Sequence, residues 1–146
     1  MIEEILNVSI NERPQLFSYT FKLINNYTIV NLPYSLDGCK RLKIKFIKFT
    51  TGSANNEVMM IRLNHFNLNI YYNGSDIIRC AKTLPMPSTI NTTFVYDNQS
   101  FTGYDMVVNS RPEGFSINQI IIEVLIDGEY KDISPSNPFF IELELT

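Results

Sequence analysis

The chain has no tryptophan, one histidine, two cysteines and six glycines among its 146 residues. Each scarcity removes a class of function. Two cysteines, Cys39 and Cys80, are too few for a disulfide framework or a cysteine-based zinc site. They read as reduced small hydrophobes, although a single Cys39–Cys80 bridge is compatible with the sequence. The lone histidine, His65, stands at a strand end in Asn64-His65-Phe66. A metal site wants several converging ligands, and a triad hydrolase wants a nucleophile, a base and an orienting group together. His65 therefore reads as a structural or interface residue. The glycines are scattered singly at turns, so no glycine-rich phosphate loop is present. Asp76, Asp97, Asp105 and Asp127 lack calcium-loop spacing, and nothing selects a carboxylate pair for glycosidase-type chemistry. No catalytic, cofactor-binding or metal-binding residue is assigned.

Long apolar runs are also missing. No stretch approaches the roughly 20 residues that span a bilayer. The start, Met1-Ile2-Glu3-Glu4-Ile5-Leu6-Asn7, lacks the basic residues and apolar run of a signal peptide. The expectation is a reducing, cytosolic compartment. The sequons at Asn7, Asn26, Asn73, Asn91 and Asn98 are then expected to be unmodified. Net charge is −3 and the pI is about 5.1, which argues against a general polyanion binder but leaves room for a local basic face.

What the chain does have is apolar bulk. Hydrophobic residues make up 45% of it, with eight tyrosines and ten phenylalanines. A chain of this length buries roughly 70% of its unfolded surface, enough for a core without staples. Short runs of period-two alternation between turn residues predict one all-β domain over residues 16–146, a two-sheet antiparallel sandwich of about eight strands. Residues 1–15 read as an N-terminal arm or edge strand. Ile2, Ile5 and Leu6 also share one helical face.

The expected strands are Leu16–Ile24, Tyr27–Leu32, Lys40–Thr51, Glu57–Phe66, Asn67–Tyr72, Ile77–Leu84, Thr92–Tyr96, Tyr104–Val108, Ile117–Ile126 and Phe139–Leu145. Turns are expected at Asp37-Gly38, Asn73-Gly74, Arg111-Pro112-Glu113-Gly114 and Asp127-Gly128. Leu42, Ile44 and Phe46 share one phase, and then Ile47 and Phe49 take the other. A strand changes phase only through a bulge or bend, so one is expected near Phe46-Ile47, where the strand would cross between sheets.

Two surface features stand out. Lys40, Arg41, Lys43, Lys45 and Lys48 form a basic comb, with Arg41, Lys43 and Lys45 on one strand face. It reads as a solvated, aggregation-resistant face, as a contact for an acidic protein surface, or as a contact for nucleic acid or anionic lipid. Glu142 and Glu144 are candidates to lie opposite it in the same sheet. Tyr71-Tyr72, together with Tyr96, Phe101 and Tyr104, could form a sugar platform or pack in the core or between subunits. Arg41, Lys43, Lys45, Tyr71, Tyr72 and Tyr104 are the candidate interface residues.

Three segments carry a resemblance. They are Arg41-Leu42-Lys43-Ile44-Lys45-Phe46, Met59-Met60-Ile61-Arg62-Leu63-Asn64-His65-Phe66, and the ending from Ile117-Asn118-Gln119-Ile120-Ile121-Ile122-Glu123-Val124 through Asp127-Gly128 to Phe139-Phe140-Ile141-Glu142-Leu143-Glu144-Leu145. In pattern the chain resembles the single jelly-roll penton and minor capsid proteins of large eukaryotic double-stranded DNA viruses and their relatives. The resemblance implies a jelly roll, a structural role and no enzyme activity. It implies a homo-oligomer, a pentamer at icosahedral vertices or else a trimer, with the major capsid protein and other capsid proteins as partners. It places the chain in the virion capsid after synthesis in the host cytoplasm, without nucleic-acid contact and with weaker grounds for contact with an inner membrane. The other reading of the residues is a non-catalytic carbohydrate- or ligand-binding β-sandwich module.

Overall fold

Alternating apolar and polar side chains favour extended backbone wherever one face can be buried. The computed structural model follows that pattern. It describes residues 17–52, 58–64, 66–86, 90–97 and 107–146, without the side chains of 107–113. The strands are β1 (Phe17–Leu23), β2 (Tyr27–Thr50), β3 (Val58–Leu63), β4 (Asn69–Tyr72), β5 (Ile77–Cys80), β6 (Lys82–Pro85), β7 (Thr93–Asp97), β8 (Val107–Ile126) and β9 (Phe139–Leu145). No helix occurs among the described residues.

One antiparallel sheet runs β1-β9-β2-β8-β3-β6, with β7 also paired to β2; β4 and β5 form a separate hairpin. The sheet curls because β2 is 24 residues long and changes partners along its length. Its first part, Tyr27–Asn31, pairs with Glu123–Gln119 of β8. Its later part pairs with β9 from Leu42 to Lys48 and with β7 from Phe46 to Thr50. Two groups result: β1-β9-β2-β7 and β2-β8-β3-β6. The buried residues of both enter one hydrophobic cluster. The first group supplies Leu42, Ile44, Ile47, Phe49, Ile141 and Leu143; the second supplies Met59, Ile61, Leu63, Ile120, Ile122 and Val124. The architecture is therefore sandwich-like, with the core between two layers.

Tyrosine hydroxyls bridge both seams between the layers. Tyr96 on β7 donates to the Pro85 carbonyl on β6. Tyr19 on β1 is hydrogen-bonded to Tyr34 on β2; burial, followed by that bond, raises the Tyr19 pKa.

The sequence reading and the structure part at several points. Asp37-Gly38 does not end a strand. Register shifts between Asn31 and Leu36, Leu36 and Cys39, and Cys39 and Arg41 bend β2 while its backbone stays extended. Gly38 has φ +75° and Gly114, across the ladder on β8, has φ +82°. Both glycines serve the bend rather than a chain reversal. Arg111-Pro112-Glu113-Gly114 is likewise inside β8, not a turn between strands. The phase flip is real but sits one residue early. Ile44 faces Leu143 and Phe46 faces Glu142, so Lys45 is the extra, bulged residue. The crossing between layers lies upstream of it, between Asn31 and Arg41.

Ile77–Leu84 splits at Ala81, because β5 pairs with β4 while β6 pairs with β3. That split adds one strand, while Tyr27–Leu32 joins the Lys40–Thr51 run in β2 and Val107-Val108 joins the Ile117–Ile126 run in β8, so the ten expected runs become nine strands. Asp127-Gly128 turns as expected, with φ +55° and +75° and Ile126 bridged to Glu129. The N-terminal arm, His65, Phe101 and Tyr104 lie outside the described residues.

Candidate functional site

The two layers turn different chemistry to solvent. On the outer face of β1-β9-β2, the cross-strand rows are Ser18–Glu144–Lys43, Thr20–Glu142–Phe46 and Lys22–Phe140–Lys48. Lys45 Nζ lies 3.3 Å from Glu144 Oε2, and Ser18 Oγ donates to Glu142 at 2.7 Å. Two members of the basic comb thus have an acidic neighbour on their own sheet: Lys43 lies across from Glu144 and Lys45 is paired with it. Arg41, Lys43 and Lys45 do share the outward face, because Leu42 and Ile44 between them are buried. Phe46 and Phe140 are half-covered, and Val95 at 39% is the one exposed large apolar side chain on this face among the described residues.

The outer face of β2-β8-β3 is amphipathic. Its rows are Tyr27–Glu123–Arg62, Ile29–Ile121 with Asn64 beyond, and Asn31–Gln119. Tyr27 and Ile29 are exposed, at 47% and 50%. Glu123 lies on this outward face, yet it is only 8% exposed. Arg62 Nη1 donates to Glu123 Oε1 at 2.7 Å, and the Tyr130 hydroxyl donates to Oε2. A carboxylate accepting from both sides tolerates this degree of covering. The hydrogen bond to Glu123 pushes the Tyr130 pKa up to about 12. Arg62 Nε also donates to the Arg79 carbonyl at 2.9 Å, which ties β5 of the hairpin to β3.

Beside this cluster runs an open groove of about 210 Å³, lined by Tyr27, Arg62, Leu63, Asn64, Asn67, Ile121 and Glu123. Its polar groups are largely committed to the protein. Asn64 donates to the Gln119 carbonyl and accepts from the Ile121 amide, and Asn67 Oδ1 accepts from the Leu63 amide.

The hairpin stands beyond it. Cys80 is buried on its inner side, with Tyr71 and Ile78 half-buried. The opposite side carries Ile70 at 62%, Tyr72 at 63% and Ile77 at 67%, preceded by Leu68 at 59%. Tyr72 and Ile77 face each other across the ladder and Ile70 faces the exposed Arg79, so the ridge is four apolar side chains flanked by one arginine. The tip is preformed: Asn73 Oδ1 accepts from the Ser75 and Asp76 amides, and the Tyr72 hydroxyl donates to the Gly74 carbonyl.

Of the candidate residues, Arg41, Lys43 and Lys45 meet on one layer, while Tyr71 and Tyr72 belong to the hairpin inserted in the other. Tyr71-Tyr72 cannot act as one platform, because neighbouring strand residues point to opposite faces. Tyr96 is core, at 4% exposure. Cys39 and Cys80 are both free and buried, and burial raises both thiol pKa values. No group of three His, Cys, Asp or Glu side chains converges as a metal site among the described residues. Sequence reasoning missed Tyr27, Ile29, Arg62, Glu123 and Tyr130. The available signal was Glu123 inside an otherwise apolar strand, a position that calls for a cationic partner.

No protein-family model matches the chain, and no curated protein matches it.

Proposed function

We propose that this protein is a structural capsid component of a large eukaryotic double-stranded DNA virus or a relative, a penton or minor capsid protein built on a single jelly roll. A jelly roll has eight strands in two sheets joined by Greek-key connections. With β2 divided at its bend, the strands of this sheet fall into two groups of four, β1-β9-β2-β7 and β2-β8-β3-β6, which supports that topology. Fold alone does not assign function, so the surface must carry the reading. The observation that carries it is the exposed apolar ridge Leu68, Ile70, Tyr72 and Ile77 on a preformed hairpin. Contiguous exposed apolar surface marks an association site in a soluble chain.

On this reading the protein acts through shape and buried interface, without catalysis or cofactor. Copies contact one another laterally, five around a vertex or three at another station, and touch the major capsid protein. The charged face of β1-β9-β2, with Lys45 paired to Glu144, suits solvent or a polar neighbour better than nucleic acid. Gold-labelled antibody against the chain, applied to purified virus particles, tests the assignment. Labelling at the capsid, concentrated at vertices for a penton, is expected; particles free of the chain would refute it.

The carbohydrate-binding alternative would use the groove beside Tyr27. Sugar recognition needs unspent donors and acceptors, and the Asn64 amide and the Arg62–Glu123 pair are already committed. Titration against a glycan array is expected to show no binding.

A further inference from the structure

The amphipathic face of β2-β8-β3 and the hairpin ridge are two separate apolar surfaces on one chain. We propose that they are the two halves of a single head-to-tail contact, in which the hairpin ridge of one copy seats on the β2-β8-β3 face of a second copy. This rests on the reading that the chain assembles with itself, and it names the surfaces that do so.

Area comes first. Four large side chains at 59–67% exposure offer roughly 400–500 Å² of ridge. Tyr27, Ile29 and Tyr130, at 47%, 50% and 56%, with half-buried Ile121 between, offer a similar amount opposite. Joined, they cover roughly 800 Å² of largely apolar surface. At the usual apolar share of an interface this corresponds to roughly 1,400 Å² in total, within the range of a stable contact. A symmetric ridge-to-ridge dimer would bury as much but leave the second patch bare on every copy. A ridge-to-face contact covers both patches on each copy, and a contact between unlike surfaces closes into a ring when its rotation allows.

Shape and charge agree. The groove is open, and at about 210 Å³ it can receive a large side chain from the ridge. Arg62 and Glu123 are already paired, so an apolar side chain entering beside them leaves that pair intact; Arg79, opposite Ile70 on the ridge face, keeps its guanidinium at the rim of the contact, where a long side chain can stay in water. The Asn73-capped tip fixes the hairpin before contact, which lowers the ordering cost of association.

Two variants of the full chain test the pairing. Ile77→Asp spoils the ridge and leaves the face intact; Ile29→Asp spoils the face and leaves the ridge intact. Both sites are exposed, so both variants are expected to fold with unchanged circular dichroism. Serine at the same positions replaces either variant that fails to fold. By sedimentation velocity, each variant alone is expected to run as a monomer at a concentration where the parent chain is oligomeric. Mixed in equal amounts, they are expected to form two-chain complexes, because one intact ridge meets one intact face. Parental mass in either variant, or a mixture that stays monomeric, overturns the pairing. A monomeric parent chain also overturns it. Loss of the pairing with chain still found in particles would leave the capsid assignment standing; the pairing without chain in particles would remove the capsid assignment alone.

Discussion

The two outer faces of this sandwich share one long strand, β2, and end in different chemistry. On β1-β9-β2, lysines stand beside glutamates, the Lys45–Glu144 pair is half-solvated, and the surface is complete in water. On β2-β8-β3, the Glu123 carboxylate is covered beneath Tyr130 and Arg62, and isoleucine and tyrosine face solvent beside that arginine. A strand face with one carboxylate covered and hydrocarbon in solvent suits a neighbour. A face dominated by exposed lysines, with glutamates beside some of them, suits water. On the proposed reading, assembly belongs to one layer and the basic comb faces water, where lysines discourage edge-to-edge association.

The largest effect should come from the backing that both faces share. Ile122→Ala, in the buried cluster, is expected to lose roughly 2–5 kcal/mol in urea unfolding. Ile121→Ala, its neighbour on the outer face, should lose far less stability. Equal losses would break the distinction between backing and face. Next is the covered carboxylate. Glu123→Ala strips Arg62 and Tyr130 of their acceptor and should cost about 2–3 kcal/mol. Glu144→Ala on the charged face should cost less than about 1 kcal/mol.

The third effect is a titration. The Tyr130 pKa is raised above its ordinary value of 10.0, to about 12. The neutral phenol is therefore favoured in the folded chain. Its stabilising contribution is complete below about pH 10 and is lost as pH rises through about 12. Near-ultraviolet phenolate absorbance should show a late-titrating tyrosine that disappears in Tyr130→Phe and moves to lower pH in Glu123→Gln. A tyrosine titration unchanged by Glu123→Gln would deny the contact. The smallest effect belongs to the charged face: a double-mutant cycle on Lys45 and Glu144 should give roughly 0–1 kcal/mol of coupling, fading as salt is added.

Much of the fold was legible in the sequence. Alternation located β1, the later half of β2, β8 and β9, and Asp127-Gly128 announced its turn through the αL preference of those residues. The failures have physical causes. Asp37-Gly38 and Gly114 carry turn chemistry, yet here they serve bulges that bend long strands, because the partner ladder resumes beyond them. The split at Ala81 could not be read from Ile77–Leu84, since partner choice is non-local. The site was less legible than the fold. The basic comb was visible because its alternation is local. The Tyr27–Glu123–Arg62 row joins three strands distant in sequence, and only the register aligns them.

On the proposed reading, the amphipathic layer and its hairpin bind further copies of this chain. Light scattering coupled to size exclusion, on the full chain at physiological salt, tests it most directly. The account predicts a discrete ring, with five times the 16.9 kDa chain mass favoured. A single 16.9 kDa species at every concentration up to the solubility limit would contradict it.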